Sequence, residues 1–335
     1  PTAVAAGIAN AARYGMIVRS GDVLERLAKV DLVAFDKTGT LTYSDLNVEK
    51  TVVCFKGITE EYLLRIAAAC ESGSTHPIAK AIARSADVSG MSISGQSIVP
   101  GMGVSATVDG KTALVGKAGY LEEAGIEVPE EYILTGDRTV VYVGCGIVFL
   151  GYIVLADKMR EDAPGIIQRL TEQGIKTVLL TGDNRMTACR IAEESGVNDV
   201  KSELMPEDKL RYVEEMRKTS FVAMVGDGVN DTLALKKADI GISMGGIGSD
   251  IAVEASDVVL VKDDIGRIDY LFRLAGKVMK RISTVLILSL IINFTAVLLS
   301  ALGLLTPVTG ALFHNCGSVF VIINAALILR CRDDK

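Results

Sequence analysis

Between residues 282 and 329 the chain carries no aspartate, glutamate, lysine or arginine. A helix needs about 20 consecutive apolar residues to cross a bilayer, so the tract has room for two, with a break near Leu305, Thr306 and Pro307. Lys280 and Arg281 precede it, and Arg330 and Arg332 follow it. Cationic flanks favour the cytoplasmic side, which puts both ends in the cytoplasm and makes the tract a hairpin. A very apolar buried helix pair is the alternative, but such pairs rarely run this long without a charge. The tract accounts for a mean hydropathy of +0.37 and a hydrophobic fraction of 49% in 335 residues, values high for a purely soluble chain.

The length also allows two soluble domains. The first residue is Pro1 rather than Met, so a fragment or a processed piece is expected. A net charge of −6 argues against a nucleic-acid partner. Cys54, Cys70, Cys145, Cys189, Cys316 and Cys331 form no C-x-x-C pair, and they read as reduced residues rather than a disulfide framework. Residues 3–12 are small and helix-prone, without a secretory pattern.

Residues 1–28 read as the end of a membrane helix and a connector. The apolar run 32–35 ends at Asp36 and reads as a buried parallel strand. Residues 43–150 form a self-contained insert, with helical patterns at 60–69 and 78–85 and alternating strand patterns at 97–108 and 139–150. After residue 156 helical patterns at 163–173, 186–195 and 209–219 alternate with apolar runs at 177–180 and 221–225. That alternation predicts a parallel sheet with helices on both faces, which the strand 32–35 joins.

Ligands of open α/β sheets bind beyond the carboxyl ends of the strands. Three polar loops fall there. Asp36-Lys37-Thr38-Gly39-Thr40-Leu41-Thr42 offers a carboxylate beside hydroxyls and a glycine that lets backbone N–H groups close on a phosphate. Thr181-Gly182-Asp183 is the second. Gly226-Asp227-Gly228-Val229-Asn230-Asp231 packs two carboxylates and an amide into six residues, as a Mg²⁺ site needs. Lys209 lies between the last two, a cation suited to phosphate charge. Each loop alone could be a solvated turn, since Gly and Asp favour turns. All three in order on strand ends are far harder to read that way.

DKTGTLT at 36–42 and GDGVND at 226–231 resemble the phosphorylation signature and the Mg²⁺ hinge motif of P-type ATPases. The resemblance covers essentially the whole chain. It implies an α/β fold: a haloacid-dehalogenase-like, doubly wound parallel sheet, interrupted by an α+β nucleotide-binding domain and followed by a two-helix transmembrane hairpin. The expected division is 1–28 helix end and connector, 29–43 and 153–275 phosphorylation domain, 44–152 nucleotide-binding domain, and 276–335 hairpin. By the same resemblance Asp36 is the nucleophile that ATP phosphorylates, with Lys37 beside it. Asp36, the Thr38 carbonyl and Asp227 bind Mg²⁺. Thr181, with Gly182 and Asp183, and Lys209 hold the phosphoryl oxygens, and Asn230 and Asp231 support the site. Asp157 and Arg160 match the hinge between the two soluble domains and are counted with the nucleotide-binding set. Related phosphatases carry a second Asp two residues after the nucleophile as general acid/base; here it is Thr38, which cannot do that job. An aspartyl phosphate is therefore expected to persist and to be coupled to a conformational change.

The short insert contains Glu71-Ser72-Gly73-Ser74-Thr75-His76-Pro77 and Gly101-Met102-Gly103. These resemble the nucleotide domain of heavy-metal (type IB) pumps, which implies that Glu71 and His76 contact adenine and that Gly101 and Gly103 let the backbone approach it. Thr75 stands where the family has Glu, and Lys117 where Asn is common. Gly245-Gly246-Ile247-Gly248 has no βαβ context and reads as a turn. In the hairpin, His314, Asn315, Cys316, Ser318, Asn293 and Thr295 are polar at membrane depth, which makes them functional candidates. His314 and Cys316 suit a soft or borderline metal, and 314–318 loosely resembles the His-Glu-Gly-Gly-Thr stretch of cobalt/zinc-type pumps. The alternative is that these groups only hydrogen-bond between helices or sit near the membrane interface.

The expectation is thus ATP-driven export of a divalent metal of the Zn/Cd/Co class, with ATP and Mg²⁺ as cofactors, in the cell membrane with cytoplasmic soluble domains. A Cu⁺-type pump, a soluble haloacid-dehalogenase-like phosphatase and an ATP-sensing module are the alternatives. The hairpin and Thr38 oppose the phosphatase; intact Asp36, Lys209, Asp227 and Asp231 oppose the module. The chain contains no Cys-Pro-Cys and no Thr-Gly-Glu triplet, so the family's actuator domain and earlier membrane helices are expected as partners from elsewhere in the same protein.

Overall fold

The computed structural model describes residues 2–134, 139–228, 231–245, 250–304 and 306–332. Two compact units emerge: Pro1–Leu41 with Glu161–Lys335, and Thr42–Arg160. The insert therefore runs further than residues 44–152, because its last strand continues unbroken over Val148–Met159.

The first unit is built on a seven-stranded sheet. Leu32–Asp36 lies inside it, between Lys176–Leu180 on one side and Val222–Gly226 on the other, parallel to both. Asp199–Lys201 ends the sheet on one side; Ile240–Met244, Val258–Leu260 and Met16–Val18 extend it on the other. Met16–Val18 pairs antiparallel with Val258–Leu260, so part of the expected connector 1–28 is an edge strand. Val33, Ala34 and Phe35 are fully buried, as a strand covered on both faces requires. The helix Ala163–Glu172 buries Ala163, Ile166, Ile167 and Leu170 on one stripe. The chain leaves Leu32–Asp36 toward both neighbours, which makes its carboxyl end a topological switch point.

The second unit is a six-stranded antiparallel sheet. The helices Glu60–Glu71 and Pro77–Ala83 cover one face, with Leu63, Ile66, Cys70 and Ile82 packed on Val115, Val143 and Ile153. Thr59 caps the first by accepting the Tyr62 N–H at 3.2 Å, beside two acidic residues in the first turn. The strand pattern at 97–108 divides into two strands, Ile93–Val99 and Gly103–Val108. Pro100 cannot donate to a ladder, and Gly101 turns the chain with φ of 76°.

The helix Ile268–Ala301 begins eight residues ahead of the expected hairpin start. Its first turns bury Ile268, Tyr270, Leu271, Leu274, Ala275 and Val278 within the first unit. Beyond them Leu286, Leu290, Phe294 and Val297 are exposed, as are Leu312, Val319 and Ile323 on the helix Pro307–Ala326. Both helices are long and apolar enough to cross a membrane, and so much exposed apolar surface calls for lipid or other helices against it. The expected turn includes Leu305, which lies outside the described residues, as do Gly246, Ile247 and Gly248.

A polar junction ties the ends of this unit together. The side chain of Asn10, in the helix Thr2–Arg13, donates to the carbonyls of Ile328 and Cys331, both at 3.0 Å. Its Oδ1 accepts from the Tyr270 hydroxyl at 2.6 Å. The carbonyls at the end of a helix are left open to such donors; Asn10 adds a donor to the Ile328 carbonyl, which also accepts the Cys331 N–H at 3.0 Å, and to the carbonyl of Cys331 just beyond the turn Leu327–Arg330. Tyr270 also meets Tyr14 edge-on, with ring centres 4.9 Å apart.

Candidate active site

Asp36 is the last residue of its strand, and the chain turns tightly over Lys37–Leu41 directly after it. Gly39 sits in the left-handed region at φ 73°, where a side chain would be strained. Thr40, which the sequence reading did not single out, is fully buried, and its Oγ1 has no partner among the described residues. The loop 181–183 is held by its neighbour: Thr181 N–H donates to the Lys201 carbonyl and Asp183 accepts from Glu203 N–H at 2.7 Å. Thr181 Oγ1 in turn accepts from Asp183 N–H at 3.1 Å. Lys37 Nζ and Asp183 form an ion pair at 2.8 Å, joining the first two loops.

Lys209 lies in the first turns of the helix Pro206–Met216. Its ammonium donates to Asp36 Oδ1 and, at 2.8 Å, to Asp231 Oδ1. Asp36, Asp227, Asp231 and Lys209 are all buried. Burial first, then the charges of Asp231 and Asp227, pushes the Asp36 carboxyl up to about 7, against the opposing pull of Lys209. Burial lowers the Lys209 ammonium, but the two carboxylates outweigh it and hold it above its usual value.

Carboxylate oxygens of Asp36, Asp227 and Asp231 lie within 4.8 Å of one another, and among the described residues no other group of three His, Cys, Asp or Glu does so. Lys37 is engaged by Asp183 and Lys209 by Asp36 and Asp231, and among the described residues Asp231 Oδ2 meets no hydrogen-bond donor. The excess negative charge and the hard oxygen donors fit a divalent cation such as Mg²⁺. The sequence reading gave Asp231 a supporting role; the folded chain puts it in the cluster itself. Thr38, two residues after Asp36, is partly exposed. Asn230 lies outside the described residues.

In the second unit a cavity of about 690 Å³ is lined by Glu71, His76, Gly101, Gly103 and Lys117, with apolar walls from Ile78, Ile98, Val99, Met102 and Val140. This size and mixture suit a small organic ligand. Glu71 is 5% exposed, its Oε2 has no partner among the described residues, and burial pushes its carboxyl up to about 7. His76 Nδ1 accepts the Ile78 N–H at 3.3 Å at the start of Pro77–Ala83, which leaves Nε2 to carry a donor proton. The two glycines have different reasons. Around Gly101 an added Cβ would meet nothing within 4 Å, whereas at Gly103 it would fall 2.4 Å from the Val115 carbonyl oxygen and 2.6 Å from Tyr120. Gly103 is needed for the close pairing with Gly116. The apolar walls were missed in the sequence because they come from separate strands.

Asp157 and Arg160 do not line this cavity. Asp157 pairs opposite Leu46 in the sheet, and Arg160, buried with its guanidinium 4.7 Å over the Tyr43 ring, closes the second unit. His314 and Cys316 are both exposed on one helix, two residues apart. At 100° per residue they point to opposite sides, so this helix does not bring them to one ion as the sequence reading expected.

The fold and the acidic cluster agree with a family match: residues 30–239 match the haloacid dehalogenase-like hydrolases, and the chain belongs to that family. Its relatives are heavy-metal P-type ATPases. A zinc-exporting P-type ATPase of Mycobacterium marinum is 36% identical over 343 residues, covering 99% of this chain and 47% of that protein. A probable copper-exporting P-type ATPase of Mycobacterium tuberculosis is 37% identical, covering 98% of this chain and 44% of its own length. The structure of a zinc-transporting PIB-type ATPase superposes with a TM-score of 0.87 at 36% identity, over 98% of this chain and 55% of that one. The chain thus spans about half the length of the curated relatives it matches.

Proposed function

We propose that the chain is the catalytic and C-terminal membrane portion of an ATP-driven metal pump that works through an aspartyl phosphate on Asp36. The observation that carries this reading is Asp36 itself, buried at the end of its strand, bonded to Lys209 and clustered with Asp227 and Asp231. The base of ATP occupies the cavity lined by Glu71, His76 and Gly101. A carboxylate oxygen of Asp36 attacks the γ-phosphorus, the bond from that phosphorus to the β–γ bridging oxygen breaks, and ADP leaves. Lys209 offsets the charge of the phosphoryl oxygens, and Thr181 and the 37–41 turn offer hydrogen-bond donors to them. Asp36 and Asp227, with Asp231 and the Thr38 carbonyl, would hold Mg²⁺, which supplies further positive charge against the repulsion between carboxylate and phosphate. No carboxylate stands at Thr38 to activate water, so the phosphoenzyme lasts long enough to serve a conformational step.

The cargo in this reading is a divalent transition metal of the Zn/Cd/Co class, moved across a cell membrane with the soluble units in the cytoplasm. The zinc-exporting relative and the zinc-transporting structure support it; the copper-exporting relative keeps Cu⁺ as the second reading. Exposing the full-length protein to radiolabelled ATP tests the first claim. Acid-stable, hydroxylamine-sensitive label should appear in the native protein and vanish in Asp36→Asn. Label that survives Asp36→Asn overturns it. ATPase stimulation by Zn²⁺, Cd²⁺ or Co²⁺ but not Cu⁺ is the expected result for the cargo; the reverse selects Cu⁺.

A further inference from the structure

In the first unit a cavity of about 280 Å³ opens between the end of the helix Thr2–Arg13 and the turn Ile265–Arg267 that leads into Ile268–Ala301. Arg13, Lys262 and Arg267 line it, with one acid, Asp264. The three cations come from separate stretches of chain, and pinned backbone brings them together. Met16 pairs with Leu260, and Val261 N–H donates to the Gly15 carbonyl at 2.9 Å. Arg13 and Lys262 therefore leave the same end of one strand pair. Asp264 accepts from Arg267 Nε at 3.1 Å, and the Arg267 guanidinium lies 5.6 Å from the centre of the Tyr14 ring, which also lines the cavity. Tyr14 is in turn set against the buried Tyr270.

A cation in the last turn of a helix is common, and Arg13 alone would need no ligand. Three cations around one small cavity repel one another, in a chain whose formal charge is −6. A concave site lined mostly by one sign gathers counter-ions, and the arginine fork matches phosphate oxygens. We propose that this cavity binds a small phosphate-bearing anion, which ties Arg13 at the end of one helix to Arg267 at the start of the other. The volume falls below the about 300–1,000 Å³ of pockets for larger organic ligands, so phosphate or a short phosphate ester suits it better than a nucleotide. A lipid headgroup offers the same chemistry. Arg267 stands fifteen residues before Ile282, where the charge-free tract opens, about 22 Å along a helix. The headgroup layer is only about 5–8 Å deep on each side of the bilayer, which favours a soluble source. The bound anion adds a ligand-dependent tie between the two helices to the permanent one that Asn10 makes with Tyr270.

The test places the full chain in phosphatidylcholine nanodiscs with a chelator that removes Mg²⁺, and titrates inorganic phosphate or glycerol 3-phosphate. Hydrogen exchange over residues 10–18 and 258–268 reads the binding. Protection should saturate, and added salt should weaken it. Arg13→Gln and Lys262→Gln, both at exposed side chains, should each raise the half-saturating concentration by about three- to tenfold, the scale of one exposed charge-assisted contact. Asp36→Asn should leave it unchanged, because the phosphorylation site is a different one. A second arm replaces the soluble anions with phosphatidic acid in the disc. Protection by that lipid alone, lost in Lys262→Gln, keeps the site and assigns it to a headgroup. No protection by any of the three probes overturns the proposal. So does protection that persists unchanged in the Arg13→Gln, Lys262→Gln double variant, or that disappears in Asp36→Asn.

Discussion

Glu71 should make the nucleotide-binding unit less stable as the pH rises, and Glu71→Gln should remove that dependence. Burial raises its carboxyl from the ordinary 4.5 to about 7, and its Oε2 has no donor among the described residues. A folded-state value above the unfolded one means that the folded chain prefers the proton. The stability it contributes is present below about 4.5 and is lost as pH rises through about 7. At about 1.4 kcal/mol per pH unit, that interval is worth roughly 3 kcal/mol. Glutamine keeps the shape and cannot ionise; its unpartnered amide costs about 1–3 kcal/mol at every pH. Hydrogen exchange in the helix Glu60–Glu71 reads the opening free energy of this unit locally, which matters in a chain of two units that need not unfold together. The native-minus-variant difference should swing by about 3 kcal/mol between pH 4.5 and pH 8, with the variant gaining as pH rises. A difference that is flat across that range would refute burial as the cause.

Lys209→Met should lower phosphorylation of Asp36 by about a hundred- to thousandfold, the usual cost of losing one preorganised charge-stabilising donor, measured as initial label from radiolabelled ATP. The same variant leaves Asp36 and Asp231, clustered with Asp227, without the ammonium those two share, so Mg²⁺ should raise its melting temperature more than that of the native chain. Gly103→Ala forces a Cβ against the Val115 carbonyl and Tyr120 and should cost about 1–3 kcal/mol. Gly101→Ala has room and should cost about 1–2 kcal/mol through its positive φ alone; urea denaturation separates the two.

The acidic cluster was largely legible because its members sit at strand ends, and apolar runs that stop at a polar loop announce those ends in the sequence. Asp36 and Asp227 each follow such a run. Lys209 was harder, since nothing in a helix sequence fixes its facing; only the folded pair with Asp36 and Asp231 does so. The part of Met16–Val18 in the sheet could not be read, because three residues carry too little pattern to announce a strand and its partner lies more than two hundred residues away. The two glycines of Gly101-Met102-Gly103 look alike in sequence and diverge in space, one open and one wedged against Gly116 and Tyr120. His314 and Cys316 are the opposite case. Their two-residue spacing already sets them on opposite sides of a helix, a geometric limit that their shared liking for soft metals obscured.

The Asn10 junction has a mechanical consequence. A carboxamide bond is directional and short-ranged, and Asn10 uses both ends of its amide, one on the Ile328 and Cys331 carbonyls and one on the Tyr270 hydroxyl. Such a joint cannot slip by fractions of an ångström while keeping its bonds, and a half-broken buried network is costlier than an intact one. The C-terminal tip of the last apolar helix is therefore latched rather than hinged. It either moves with Thr2–Arg13 and the base of Ile268–Ala301 as one piece, or lets go of both at once.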